Sequence, residues 1–271
     1  MNKENQHKEA LPCGVFFNDG ISLYNGDCLE VMDYLISQDV TVDAIITDPP
    51  YGTTACKWDG VIPFDEMWLR LNKLIKPNGA IVLFGSEPFS SYLRMSNIKN
   101  YKYDWKWNKT IGGSPLVAKY RPMGIFEDIM IFTLKGRVNY YPIMEEAKKE
   151  NIRPLKSSKQ KTNLMNNIKG GEFKPKFDYN PNKRYPKNEL IFPSRNKECN
   201  SLNRVHPTQK PVAVMEYLIK TYTNEGEIVL DFTMGSGSTI LAAKNLNRRG
   251  IGIELDENYF NIAKERIIND K

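Results

Sequence analysis

Short β-rich runs alternate with helical patterns over most of this chain, and that alternation leaves few folds open to it. Ile21-Ser-Leu-Tyr24 reads as a strand, residues 29–36 as a helix and Val42-Asp-Ala-Ile-Ile-Thr47 as a buried strand. Residues 64–75 carry apolar side chains three and four apart and stop at Lys76-Pro-Asn-Gly79, a helix exit by composition. A strand over 80–84 and a helix over 88–95 come next, then two strands, 103–107 and 125–133, with no helical pattern between them. The pattern resumes near the C-terminus as helix 212–222, strand 228–231, helix 239–246, strand 250–254 and helix 258–268. Such alternation predicts an α/β fold with a parallel, doubly wound sheet and an antiparallel addition at one edge.

Residues 135–205 break the pattern. They are rich in Lys, Asn, Pro and Tyr without sustained periodicity, which predicts a loop-rich recognition insertion between two halves of one domain, 21–134 and 206–271, preceded by a tail over 1–20. The formal charge of +6 is concentrated there: residues 135–210 hold 18 Lys and Arg against 7 Asp and Glu, a net of +11, whereas the remainder holds 20 against 25, a net of −5. Clustered cations of this kind are the footprint expected of a surface that meets phosphates, whose neutralisation releases counterions. The plainer alternative is a solvated lysine-rich loop.

With 41% hydrophobic residues over 271 positions, the chain can bury a core of ordinary size. Cys13, Cys28, Cys56 and Cys199 form no Cys-x-x-Cys pair and have no neighbouring histidines, so no metal site is expected and the thiols read as reduced. The longest apolar run, 80–84, is far short of a membrane span, and the N-terminus lacks the apolar centre of a signal peptide. A cytoplasmic protein is expected, and a homodimer is compatible with the sequence.

Two motifs carry chemistry. Strand Ile228-Val-Leu-Asp231 runs into Phe232-Thr-Met-Gly235-Ser-Gly237-Ser-Thr239 and then a helix. Glycines at such a turn let backbone amides and a helix N-terminus approach a ligand. No Lys follows the last glycine, as a phosphate loop requires, and Ile240 stands where a dinucleotide fingerprint has its third glycine. Glu254, at the end of the next strand, is placed to take the two hydroxyls of a ribose, and Asp231 to receive a cationic amino group. Adenosine joined to an amino acid, as in S-adenosylmethionine, fits both. A glycine turn required only for helix packing is the alternative.

The second motif, Asp48-Pro49-Pro50-Tyr51-Gly52, follows a buried strand at its carboxyl end, where ligands bind in open α/β sheets. Read alone, Asp-Pro-Pro is a turn with a capping carboxylate. Beside an adenosine-type loop it acquires a chemical use. An exocyclic amino group on a base is a poor nucleophile because its lone pair is delocalised into the ring. If the Asp48 carboxylate and the Pro49 carbonyl each accept one N–H, the lone pair is freed for in-line attack on a sulfonium methyl. Positioning of two reactants contributes roughly 7–11 kcal/mol in favourable cases. Tyr51 is then placed to stack on a base swung out of the duplex.

In order along the chain, Asp48-Pro-Pro-Tyr51, the basic region, His206-Pro-Thr-Gln-Lys-Pro211 and the 231–239 loop resemble the β-class DNA amino-methyltransferases, in which the motif order is permuted. The resemblance spans residues 21–268 and matches the basic insertion in position only. It implies a Rossmann-like, seven-stranded S-adenosylmethionine-dependent methyltransferase sheet with a target-recognition insertion, of the kind found in restriction-modification systems. It assigns Asp48, Pro49, Pro50 and Tyr51 to catalysis. To the cofactor it assigns Asp231, Phe232, Gly235, Gly237, Ser238, Thr239 and Glu254. Thr208 and Lys210 fall to the methionine end, and Asp27 with Cys28 to the adenine ring. Two departures stand out. Thr233 follows Phe232 where the family usually has a proline beside it, with little consequence expected. Phe126-Glu-Asp128 stands where the family often has His-Glu, so either Trp107 or Phe126 is the second aromatic face around the target base.

The family more often places Ser at position 48 for cytosine, which favours N6 of adenine over the rival N4 of cytosine. Methylation of cytosine carbon 5 requires a thiolate nucleophile; Pro12-Cys13 precedes the whole sheet and reads as tail. A nicotinamide-dependent oxidoreductase using the Gly235 turn leaves the Asp48 motif and the +11 segment without a purpose. A DNA-binding module lacking catalysis is disfavoured by the intact Asp48, Tyr51 and Gly237.

Overall fold

The computed structural model describes residues 14–53, 60–113, 116, 118–147, 180, 182–195, 205 and 209–269. In chain order the elements are β1 (Val15–Asn18), β2 (Ile21–Asn25), α1 (Cys28–Ser37), β3 (Val42–Thr47), α2 (Phe64–Leu74), β4 (Ile75–Gly85), α3 (Phe89–Ser96), β5 (Tyr101–Asn108) and β6 (Phe126–Phe132). They continue with β7 (Glu145–Glu146), β8 (Lys183–Arg184), β9 (Glu189–Ile191), α4 (Val212–Tyr222), β10 (Ile228–Asp231), α5 (Ser238–Asn245), β11 (Arg249–Glu254) and α6 (Glu257–Asn269).

Two compact units result, one running to Tyr141 and resuming at Asn188, the other Pro142–Lys187. In the first, nine strands form one sheet in the order β1-β2-β11-β10-β3-β4-β6-β5-β9. Strands β2, β11, β10, β3 and β4 are parallel, β6 adds antiparallel to β4, and β5 adds antiparallel to β6. These seven correspond to the expected sheet, and a short strand extends it at each edge. Side chains alternate between two faces: Ile81 and Leu83 of β4 enter a core with α1, α2 and α3, while Val82 and Phe84 enter another with α4 and α5. Parallel strands covered on both faces must be apolar throughout. All six residues of β3 are buried accordingly.

Both edge strands correct the sequence reading. The tail assigned to residues 1–20 contains β1, which pairs antiparallel with β2 across Asp19-Gly20. Both turn residues take positive φ, 42° and 82°, the geometry of the two-residue hairpin turn that Asp-Gly favours. At the other edge β9 lies parallel to β5, so residues 188–195 belong with the main sheet and not with a separate insertion. Only Leu190 of β9 is buried, too short a signal for periodicity. Ile75, read as the last helical residue, and residues 76–79, read as the helix exit, instead open β4, with an irregularity in its register against β3 between Val42 and Ala44.

In the second unit β7 and β8 pair antiparallel and set Glu145 opposite Arg184 and Glu146 opposite Lys183. Opposite charges across a strand pair stabilise the pairing modestly. Among the described residues no helix is long and apolar enough to cross a membrane.

Candidate active site

The sheet brings the two sequence motifs side by side. β10 and β3 are parallel neighbours, with Val229 beside Ala44 and Leu230 beside Ile45, although they come from opposite ends of the chain. From β10 the chain moves one way across the sheet to β11, and from β3 the other way to β4. At such a reversal the loops beyond the strand ends diverge and leave a crevice. Here it is a cavity of about 540 Å³, a size that suits a nucleotide-like ligand.

Asp48, Pro49, Pro50 and Tyr51 line the cavity, and so do Asp27, Cys28, Lys210, Asp231, Phe232, Gly235, Ser238, Thr239 and Glu254. Trp107 is also on its wall. Phe126 is not among the lining residues; it lies opposite Asn108 at the start of β6 and is 48% exposed. Gly237 stands behind the wall, where its φ of +78° and the 2.9 Å that would separate an added Cβ from Ala263 Cβ both favour glycine. Thr208 and Cys13 fall outside the described residues, as do residues 148–179 of the basic insertion.

Two hydroxyls lace the strand tips together. Thr47 Oγ1 donates to Asp231 Oδ1 at 2.6 Å and lies 2.7 Å from Thr233 Oγ1, which donates to the Asp48 backbone carbonyl at 3.2 Å. Thr233, the departure expected to matter little, therefore connects the 231–239 turn to the tetrapeptide. Proline has no hydroxyl to do this.

Asp231 is 3% exposed and accepts from Thr47 Oγ1 and from the Thr233 amide at 3.2 Å. Burial pushes its carboxyl up to about 6 against those hydrogen bonds. No ion pair found among the described residues reaches it. Glu254 accepts from the amides of Gly235 and Asp256, both at 2.8 Å, and burial again raises its carboxyl. Asp27 caps α1 by accepting from the amides of Leu29 and Glu30, a local reason for its place beside the cavity. Burial lifts the Cys28 thiol to about 12, so it is no thiolate nucleophile near neutral pH.

At Asp48, Tyr51 Oη donates to Oδ1 at 2.5 Å and Lys210 Nζ to Oδ2 at 2.6 Å. Phe89 stacks on the Tyr51 ring with centroids 4.9 Å apart. Lys210 also lies 3.2 Å from Glu127 Oε2, and Glu127 Oε1 accepts from Lys109 Nζ at 3.1 Å. Burial raises the Asp48 carboxyl; Lys210 opposes the shift and Glu127 adds to it. Glu127 resists its own burial because Lys210 and Lys109 hold its carboxyl below the usual range. Sequence reasoning missed Glu127, Lys109, Thr47 and Thr233. The signal for Glu127 was an acidic pair, Glu127-Asp128, opening a strand that is apolar from Ile129 onward.

The family model described as DNA methylase, of the N6/N4 methyltransferase type, matches residues 42–265. The Type II methyltransferase M.HpaI of Haemophilus parainfluenzae is 30% identical over 242 residues, 84% of this chain and 68% of that protein. M1.MboII of Moraxella bovis, another Type II methyltransferase, is 27% identical over 89% of this chain and 94% of its own. Among solved structures, the M1.HpyAVI–SAM complex is similar with a TM-score of 0.59 at 30% identity, over 91% of this chain and 99% of that one. The cytosine-N4-specific PvuII DNA methyltransferase shares the fold, with a TM-score of 0.61 at 18% identity over 93% and 87% of the two chains.

Proposed function

We propose, from the premise that this chain belongs to the N6/N4 DNA methylase family, that it transfers a methyl group from S-adenosylmethionine to N6 of adenine in double-stranded DNA. The observation that carries this reading is the Asp48–Tyr51 tip and the 231–239 turn facing one cavity, tied by Thr233 Oγ1 on the Asp48 carbonyl.

The residues present fit the cofactor. Asp231 is a buried carboxylate short of a cation, which the amino group of the methionine moiety would provide. Glu254 suits the ribose hydroxyls, and Asp27, Cys28 and Phe232 offer a wall to the adenine. Gly235, Ser238 and Thr239 let backbone approach closely at the start of α5. Lys210 is left out of that set because its ammonium is already engaged by Asp48 and Glu127. When bound, S-adenosylmethionine supplies a methyl group on a sulfonium, an acceptor for an electron pair.

Asp48 does the activating. A carboxylate has about four lone-pair sites, and Tyr51 and Lys210 use one on each oxygen. Capacity remains for one amino N–H of a base, and the Pro49 carbonyl takes the other. Drawn between these two acceptors, the amino nitrogen regains its lone pair. The base is extruded from the duplex to reach the cavity, with Tyr51 stacked on it and Trp107, rather than Phe126, on the neighbouring wall. Asp at position 48, where the resemblance more often has Ser for cytosine, favours adenine.

Incubation with labelled S-adenosylmethionine and duplex DNA, followed by digestion to nucleosides, tests the reading. Label in N6-methyladenine is expected. Label in N4-methylcytosine instead would move the target to cytosine, and an absence of label would leave a DNA-binding module. Neutralising several lysines between Lys156 and Lys187 should weaken DNA binding and flatten its salt dependence, by roughly 0.9 in log–log slope for each phosphate that no longer meets a cation. An unchanged slope would return that segment to a solvated loop.

A further inference from the structure

Lys210 is a buried ammonium with two acidic partners. It is 8% exposed, precedes α4, and holds Asp48 Oδ2 at 2.6 Å and Glu127 Oε2 at 3.2 Å. The rings of Phe84 and Trp107 lie with centroids 5.3 and 5.8 Å from its nitrogen, so apolar surface occupies space that water would need to solvate it. Glu127 reaches in from β6 and is itself shared with Lys109, which follows β5. Four side chains from four places in the fold thus alternate in sign, Lys109, Glu127, Lys210, Asp48. The other groups acting on Asp48 are the Tyr51 phenol on Oδ1 and the Asp231 carboxyl at the tip of β10.

We propose that Lys210 and Glu127 are an opposed pair of positioning residues that together set the ionisation and aim of Asp48, Lys210 favouring the carboxylate by supplying its counter-charge and Glu127 opposing it by drawing part of that charge away. The proposal rests on the role given to Asp48 above, and it moves Lys210 from the methionine end of the cofactor to the base side of the cavity. Protonated, Asp48 loses its charge and one of its acceptor sites, and turnover falls. The pH at which this happens is set by what surrounds the carboxylate: a neighbouring cation lowers it and a neighbouring anion raises it.

The two partners therefore have opposite effects. In Lys210→Met the acid limb of the kcat profile should move to higher pH, by roughly one to three units for a charge this close. In Glu127→Gln it should move to lower pH, because Lys210 then serves Asp48 alone, and Lys210→Arg should restore the wild-type limb. The dissociation constant for S-adenosylmethionine should stay within about twofold in all three. A purely structural role would lower activity without moving the limbs apart. Limbs that move together or stay fixed overturn the proposal, as does a Lys210→Met variant that loses cofactor affinity while its limb stays in place. Should Lys210→Met fail to fold, Glu127→Gln alone decides, by moving its limb down or not. A carbon-13 NMR titration of the Asp48 carboxyl, assigned with Asp48→Asn, reads the same opposed movements without turnover. Opposed movements with no methyl reaching DNA would sink the function and leave the pair standing; methyl transfer without opposed movements would do the reverse.

Discussion

Two aspartates end neighbouring parallel strands, and among the described residues only one of them has a cation of its own. Asp48, at the tip of β3, is paired with Lys210 at 2.6 Å. Asp231, at the tip of β10, is almost wholly buried and leans on hydroxyl and amide donors. A buried charge is costly unless compensated. The difference supports the roles proposed for the two tips. The amino group of a base is neutral, so the carboxylate that meets it must carry its own balance. The amino group of an amino acid arrives charged, so the carboxylate that meets it can wait without one.

Asp48→Asn breaks the first half of that contrast and should have the largest effect. Turnover is expected to fall on the order of 10²–10³-fold with cofactor affinity retained, measured by methyl transfer and calorimetry on one preparation. Near-wild-type turnover would remove Asp48 from the chemistry. Asp231→Asn breaks the other half. Loss of a charged hydrogen bond costs about 1.5–3 kcal/mol, so cofactor affinity should weaken roughly 10- to 100-fold, and an unchanged affinity would place the methionine moiety elsewhere.

The same variant sharpens the comparison through pH. The Asp231 carboxyl sits at about 6 in the folded chain, above its unfolded value of about 3.9. Between those values the folded state holds a proton that the unfolded state has lost. This group therefore lowers the stability of the ligand-free chain as pH rises through that window. Urea midpoints of wild type and Asp231→Asn should diverge over that range, the variant gaining; parallel curves would show that Asp231 does not suffer the burial described. Thr233→Val should have the smallest effect. It removes the hydroxyl contacts to Thr47 and the Asp48 carbonyl, worth about 1 kcal/mol, and turnover should drop about fivefold. An undiminished rate would mean that β3 and β10 hold their register without the hydroxyl.

The frame of the molecule is legible in the sequence because periodicity and burial agree along it. Strand β3, helix α4 and strand β10 fall where the apolar pattern ends, and the glycine turn and the Asp-Pro-Pro-Tyr tip stand out by composition. What escapes is short or non-local. β9 has one buried residue; β1 is visible only through Asn18-Asp19-Gly20, a hairpin signal inside a segment that reads as tail. The charged partner of Asp48 lies far along the chain: Lys210 is 162 residues away, and the resemblance gives it to the cofactor. Glu127 shows only as a departure beside an aromatic, because no local rule says which strand will face which across a cavity. Thr233 looks dispensable for the same reason, since its usefulness depends on a carbonyl 185 residues earlier.

Thr47 and Asp231 touch across 184 positions of chain. During synthesis, everything up to β9 must leave the ribosome before β10 can take its place beside β3. A nascent chain that has completed the Asp48 tip still lacks the neighbouring turn to which the methyl donor is assigned in the proposed function. Long-range pairing of this kind is slow to form. Enzymatic competence should consequently emerge late and all at once, and a polypeptide released early would carry the tetrapeptide without modifying any DNA.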